Sequence, residues 1–292
     1  MAQPLLHNLP PGIDECRAAV FDVDGTLARE DSTVSDGTIA ALRRLADTGI
    51  AIIIATGRMA PAAVSILNRM GTSGYAIGCN GAITVHTDHA DPVSVMPIEA
   101  AVYDRALDFC HSAGVDVAVF TPTTLVAERR GEAYRFVMES NEGMVPEIAD
   151  LAAIPHADRL KFMIHVSHEQ DGVVGPAIRQ QFPGVMKTLP EYYEINEPGV
   201  SKWLGVSAAL SDLGIAPHEV VGMGDSENDL SWLPQIGIPI AMENAFPNVK
   251  EVCSYEIGSN EVDSAAEFIN RWAAVRESSL VRAVHQPGAT QS

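Results

Sequence analysis

The stretch Phe21-Asp22-Val23-Asp24-Gly25-Thr26-Leu27 decides the reading of this chain. It follows Arg17-Ala18-Ala19-Val20, a short apolar run that reads as a buried strand ending at Asp22. Two carboxylates two positions apart, just past a buried strand and just before a Gly, fall at the carboxyl edge of a parallel sheet, where open α/β folds bind ligands. Gly25 allows the chain to bend so that Asp24 faces the same crevice as Asp22. In this arrangement one carboxylate can act as a nucleophile toward phosphorus and the other as the acid/base. A plainer reading, a turn without chemistry, is open to any single Asp-x-Asp-Gly.

Outward from this stretch the pattern is doubly wound. Ser35–Thr48 carries helical periodicity closed by Gly49, and Ile50-Ala51-Ile52-Ile53-Ile54-Ala55 is a β-branched run too short for a helix, hence a central parallel strand. Thr56-Gly57-Arg58 breaks it, and Pro61 opens a helix running to Met70. A third strand, Tyr75–Cys79, turns through Asn80-Gly81 into Ala82–Val85, with Val93–Met96 as a further hairpin partner. The texture then changes. Helices at 100–112, 132–140 and 172–181 are interspersed with strands near 115–120, 124–127, 160–166, 185–189 and 192–195, which suggests an inserted α+β module. The doubly wound pattern resumes at Ser201-Lys202-Trp203, with a strand 218–223, the loop Gly224-Asp225-Ser226-Glu227-Asn228-Asp229, a helix to about Leu233 and a strand 238–242.

The expected fold is thus α/β, an open parallel Rossmann-like core sheet with helices on both faces plus an inserted α+β cap domain. The expected boundaries are an N-terminal extension over 1–16, core over 17–86 and 197–275, cap over 87–196, and a disordered tail over 276–292.

Three other places offer chemistry. Asp225 and Asp229 form a second acidic pair at a second strand end. Asp225 is suited to join Asp22 around Mg²⁺, a hard cation that takes oxygen ligands, and Asp229 to orient a ligand water or Lys202. Thr56 and Gly57 supply a hydroxyl and backbone N–H groups at a helix start, a site for phosphate. Arg58 is either a substrate contact or a surface salt-bridge partner, the second being preferred. Lys202 opens a helix, where the dipole disfavours a cation, and this mismatch points to a role in neutralising phosphate and the clustered carboxylates. Cap residues His86, Arg129, Arg130, Tyr134, Lys161 and Tyr193 have crevice-facing and packing readings alike, and none is singled out.

Composition supports this. Across 292 residues, 19 Lys and Arg stand against 38 Asp and Glu, a formal net charge of −19 that opposes nucleic acid and anionic membranes. An anionic substrate therefore needs local help from a metal, a Lys and backbone N–H groups. Cys16, Cys79, Cys110 and Cys253 show no CxxC spacing and fit reduced thiols in the cytoplasm. No run reaches the length of a membrane span, and no basic n-region with an apolar stretch follows Met1.

In this order, Phe21–Leu27, Ala55-Thr56-Gly57-Arg58, Gly199–Val206 and Gly224–Leu230 resemble the four motifs of the haloacid dehalogenase-like superfamily, and the chain resembles its Cof-type phosphatases with a class-two (IIB-type) α/β cap. Cys79-Asn80-Gly81-Ala82 and Ile240–Ala245 are similar to further stretches of that branch. The run Ser259–Ser264 departs from it, because no Gly stands where the branch has one.

The resemblance implies Asp22 as nucleophile and Asp24 as general acid/base. Thr56, Gly57, Lys202 and Asn228 would bind the phosphoryl group, and Asp229 would be a supporting acid. Mg²⁺ would be held by Asp22, the Asp24 carbonyl and Asp225. It implies a small phosphorylated metabolite as substrate and a monomer or homodimer as the assembly. A phosphomutase and a non-catalytic phospholigand-binding protein are the alternatives.

Overall fold

The computed structural model describes residues 2–5, 8–141 and 143–285, with no side chains described at 283–285. Its nine-stranded sheet runs in the order Gln3–Pro4, Tyr255–Ile257, Ile238–Met242, Val220–Gly224, Ala18–Asp22, Ala51–Ala55, Tyr75–Gly78, Ile83–His86, Ser94–Val95. The first seven are mutually parallel, and each of the last two pairs antiparallel with the strand before it. Every residue of Ala18–Asp22, Tyr75–Gly78, Val220–Gly224 and Ile238–Met242 is buried, as expected of parallel strands covered on both faces.

From Ala18–Asp22 the chain winds one way to Ala51–Ala55 and Tyr75–Gly78, and later the other way from Val220–Gly224 to Ile238–Met242. Ala18–Asp22 and Val220–Gly224 are hydrogen-bonded neighbours, so the strand order reverses between them. Such a switch point opens a crevice at the carboxyl ends of the strands, and Asp22 and Asp225 stand on its two sides.

Between Ser94–Val95 and Lys202–Leu213 the chain builds a six-stranded sheet: Met186–Leu189, Tyr192–Asn196, Lys161–His165, Asp116–Phe120, Leu125–Ala127, Glu147–Ile148. Helices Ala100–Ala113 and His168–Gln181 cover one face through Tyr103, Leu107, Val174 and Ile178 packed on Val117, Val119, Phe162 and Ile164. The other face, with helix Glu132–Ser140, packs Phe120, Leu125, Val137 and Met163 against Met59, Cys79, Ala82 and Ile83 of the first sheet's loops and strands.

Two sequence expectations are corrected, and a third gains detail. The segment expected as an N-terminal extension adds an edge strand, because Gln3 N–H and Leu5 N–H donate to the carbonyls of Ser254 and Glu256. The expected helix to Leu233 is two short 3₁₀ turns, Glu227–Ser231 and Leu233–Gln235. The Asp229 carboxylate draws the chain back onto the N–H groups of Asp225 and Ser226, and Pro234 lacks the N–H a continuing helix needs. Helix Ser264–His285 continues through 276–285, expected as tail. Arg44 of helix Asp36–Asp47 binds the Glu277 carboxylate through two nitrogens at 2.8 Å, which anchors that stretch; 286–292 lies outside the described residues. Among the described residues no helix is long and apolar enough to cross a membrane.

Candidate active site

Asp22 closes its strand with a residue exposure of 3%. One oxygen accepts a hydrogen bond from Lys202 Nζ, while Oδ2 is buried with no hydrogen-bond partner. Burial first, then repulsion from Asp229, pushes this carboxyl well above its ordinary value, and Lys202 opposes the rise. Asp225 is pushed up to about 6 for the same two leading reasons. Among the described residues, Asp22, Asp225 and Asp229 can bring one oxygen each to within 4.8 Å of one another.

Lys202 is 1% exposed, placed by Ser201, whose hydroxyl caps helix Lys202–Leu213. Its Nζ also donates to Asp229 Oδ1 at 2.7 Å. Burial on its own would lower the ammonium pKa, yet Asp22 and Asp229 reverse this and leave it raised. The cost of a Lys in a first helical turn is thereby met by two carboxylates at hydrogen-bond range. Asp229 has both oxygens engaged, Oδ1 also by Trp232 Nε1 and Oδ2 by the Asp225 and Ser226 N–H groups. Its lone pairs are used in holding Lys202 and the loop, which leaves Asp22 and Asp225 as the carboxylates open to a cation.

The turn after Asp22 is built on Gly25, at φ 78°. A Cβ there would stand 2.3 Å from Asp225 Oδ2, so the bare backbone is what lets Asp225 approach. Thr26 Oγ1 donates to Asp225 at 3.2 Å and Asn244 Nδ2 to the Gly25 carbonyl at 2.8 Å. Gly25→Ala is expected to cost about 1–2 kcal/mol for the left-handed backbone and to displace Asp225. Calorimetric unfolding should show the loss; unchanged stability would contradict this geometry.

Asn260 Nδ2 ties the far end of the turn to the Ala28 carbonyl at 2.8 Å. In the run without the expected Gly, Asp263 itself takes a left-handed φ of 54°, one of the few residue types that tolerates it, with Arg29 binding both its oxygens.

Asp24 has a side chain 55% exposed and is gripped by Arg58 Nε and Nη2. Arg58, expected at the surface, has a side chain only 7% exposed. It is a salt-bridge partner, but a buried one, held over the crevice because Arg58 N–H donates to Thr56 Oγ1 at 3.0 Å and folds the turn inward. Thr56 is fully buried. Asn228 Nδ2 donates to Asn80 Oδ1 at 3.3 Å, and the same Asn80 oxygen would be 2.9 Å from a Cβ on Gly57. All the sequence-selected residues therefore converge on one crevice, with Asp22, Asp225, Asp229 and Lys202 in a connected group and Thr56, Gly57 and Asn228 on its Asn80 side.

A family model of haloacid dehalogenase-like hydrolases matches residues 19–269. The chain belongs to this family. Within it, the HMP-PP phosphatase of Yersinia pseudotuberculosis is 24% identical over 261 residues, covering 88% of this chain and 95% of the relative. A haloacid dehalogenase-like hydrolase from Bacteroides thetaiotaomicron has a similar structure, with TM-score 0.80 at 23% identity and coverage of 88% of this chain and 99% of that one. The HAD subclass IIB sugar phosphatase BT4131 superposes with TM-score 0.72 at 23% identity, over 88% of this chain and 98% of its own. This haloacid dehalogenase-like chain is an enzyme of phosphatase lineage, of the Cof-type branch with a second, inserted sheet.

Sequence reasoning missed what Asn80 and Arg58 do. Asn80 was read as a turn residue; its φ of 59° fits that reading, but its burial and its partners across the fold have no local signature. Of the unselected residues, Arg129 pairs with Asp116 and His86 packs on Tyr75. Tyr134 and Tyr193 are buried in packing, and Lys161 reaches the Gly57 carbonyl at 2.6 Å.

Proposed function

We propose that this chain is a Mg²⁺-dependent phosphomonoester hydrolase acting on a small phosphorylated metabolite through an aspartyl phosphate on Asp22. The observation that carries the reading is the state of Asp22: one oxygen pinned by Lys202, the other buried with no donor, beside a second carboxylate, Asp225, whose charge burial and Asp229 disfavour. An all-oxygen set of this kind fits a hard divalent cation, with Asp22, Asp225 and the Asp24 carbonyl as its ligands. When bound, Mg²⁺ supplies charge neutralisation between the carboxylates and the phosphoryl oxygens.

The chain's own groups do the rest. Lys202 has three N–H donors, two of them used by Asp22 and Asp229, and the third serves a phosphoryl oxygen. Thr56, the Gly57 N–H and Asn228 bind the remaining oxygens. Asp22 attacks phosphorus as Asp24 gives its proton to the departing alkoxide. Asp24 then takes a proton from water, which attacks the aspartyl phosphate, releases inorganic phosphate and restores Asp22. Arg58 holds Asp24 at the crevice mouth. The inserted sheet acts as the cap that excludes bulk water and selects the leaving group. The four free, buried cysteines support a cytoplasmic setting.

The test is Mg²⁺-dependent phosphate release from a panel of phosphorylated sugars, phosphorylated pyrimidines and phosphorylated cofactors. Release is expected from at least one class, and none across the panel sinks the proposal. Conversion of a hexose 1-phosphate to its isomer without phosphate release would give the phosphomutase alternative instead.

A pH dependence follows. Asp225 has its folded value raised to about 6 from an ordinary 3.8, and Asp22 shifts the same way. The contribution of Asp225 to stability is therefore full below its ordinary value and is lost as pH rises through about 6, and that of Asp22 falls with rising pH in the same sense. The acids held below their ordinary values, Asp31, Asp171, Glu219 and Glu277, act at lower pH. Metal-free protein is expected to melt at a higher temperature at pH 5 than at pH 7.5, and added Mg²⁺ to raise melting at pH 7.5 more than at pH 5, since protons compete for its ligands. Equal Mg²⁺ stabilisation at both pH values would contradict this.

A further inference from the structure

Two further deeply buried ionisable side chains take no part in the chemistry above. Lys161 is 1% and Glu194 6% exposed, and they are ion-paired at 2.9 Å. Both belong to the second sheet, where Lys161 lies opposite Asn196 and Glu194 opposite Met163 on adjacent antiparallel strands, so the two are diagonal neighbours on one face. Stability alone is a weak reason for such a pair, because apolar residues of like volume often serve as well; Lys161 already lies 4.1 Å over the Phe120 ring.

What distinguishes the pair is where its remaining hydrogen bonds go. Lys161 Nζ donates to the Gly57 carbonyl at 2.6 Å, and Glu194 Oε2 accepts from Asn80 Nδ2 at 2.7 Å. Asn80 N–H donates in turn to the Thr56 carbonyl at 3.2 Å, and Asn80 Oδ1 accepts from Asn228. Both ends of a buried ion pair on the second sheet thus end on the Thr56-Gly57-Arg58 turn of the first.

The Gly57 carbonyl and the Arg58 N–H belong to one planar peptide, so holding the first orients the second. That N–H donates to Thr56 Oγ1. A hydroxyl that accepts this bond has its own single proton left to donate, and among the described residues no acceptor receives it. A cation on the carbonyl also polarises the peptide and strengthens the N–H bond.

We propose that Lys161 and Glu194 are positioning residues of the phosphate-binding turn, clamping the Gly57–Arg58 peptide and Asn80 so that the Thr56 hydroxyl aims its proton at a phosphoryl oxygen only while the two sheets are in contact. The consequence for turnover rests on the phosphatase reading; the clamp on the turn does not.

The test uses the full chain carrying Lys161→Met and Glu194→Met together, which removes both charges and leaves neither buried alone. Two measurements are made. Hydrogen exchange at the Arg58 amide is expected to speed up at least tenfold, with the amides of helix Asp36–Asp47 unchanged. With Mg²⁺ and the best phosphomonoester of the panel, kcat is expected to fall about 10²-fold, the order a small misplacement of a reacting group costs, with KM within about threefold of the parent's. The single variant Lys161→Arg, which keeps a charged donor, is expected to recover most of the rate. Unchanged Arg58 protection in the double variant overturns the clamp, and so does a kcat within threefold of the parent's. A parent without phosphate release, whose Arg58 amide still loses protection in the double variant, defeats the phosphatase reading and supports the clamp.

Discussion

Asp22→Asn is expected to reduce phosphate release by on the order of 10⁴-fold or more, the scale of loss when an enzyme's nucleophile is removed, while leaving the fold intact. The two effects separate because the carboxylate is the proposed nucleophile and is energetically unfavourable at the same position. Its charge is disfavoured by burial and by Asp229, and its Oδ2 has no donor. The amide keeps the shape, removes the charge and leaves Asp229 as a partner for Lys202. Metal-free Asp22→Asn protein is therefore expected to melt no lower than the parent at pH 7.5. A variant that melts well below the parent would assign Asp22 a structural role, and one that keeps more than a hundredth of the parent rate would remove it as nucleophile.

Lys202→Met should have the opposite stability sign. The side chain is flanked by Asp22 and Asp229, and both carboxylates are buried. Removing the cation leaves two like charges facing each other in a dry site, a situation that costs about 3–5 kcal/mol when one partner of a buried pair is lost. For a chain of this size, a loss of melting temperature of roughly 10 °C follows. Activity should fall by at least about 10³-fold, because in the proposed mechanism the same Nζ holds the nucleophile and meets the phosphoryl charge. Mg²⁺ should recover part of the melting temperature and none of the rate. Lys202→Arg is a useful contrast: it retains the charge, but its planar fork does not fit a position built around a point cation. A Lys202→Met protein as stable as the parent without metal would show that Asp22 and Asp229 are not charged together in the fold.

Lys202 opens a helix, where a cation is locally unfavourable, and that local mismatch was visible in the sequence. Lys161 begins a strand in which it breaks no local rule. Its burial follows only from the packing of one sheet's face against the loops of the other, around Met59, Cys79, Phe120 and Met163.

Local chemistry in the sequence was enough to place Asp22, Thr56, Lys202 and Asp225 at the ends of strands or the starts of helices. Strand runs of β-branched residues, helix periodicity and Gly or Pro punctuation are properties of neighbours along the chain, and they mark element ends well. The same local rules placed Asn80-Gly81 in a hairpin turn, which pairs Tyr75 with His86 and Gly78 with Ile83. They failed at 227–233, where Asp229 is pulled onto backbone N–H groups four and three residues earlier instead of capping a regular helix. They failed again at 276–285, the start of a segment that loses apolar periodicity after Val284, because Arg44, more than two hundred residues away, holds Glu277.

The sequence leads one to expect Asp22 beside Asp225 and Lys202 beside Asp229; tertiary structure decides how they are buried and which further charges meet. The strand order reverses between Ala18–Asp22 and Val220–Gly224, and this brings the Asp22 and Asp225 ends of two distant segments into one crevice. Helix Lys202–Leu213 then delivers an ammonium between Asp22 and Asp229. Arg58 turns inward onto Asp24, and the second sheet sends Lys161 and Glu194 to the turn beside Thr56. Residue types and element ends are set by interactions a few positions apart, so they can be read along the chain. Burial, the exact ion pairing and the shifted carboxyls arise from distant segments, some more than two hundred residues apart, and no local pattern encodes them.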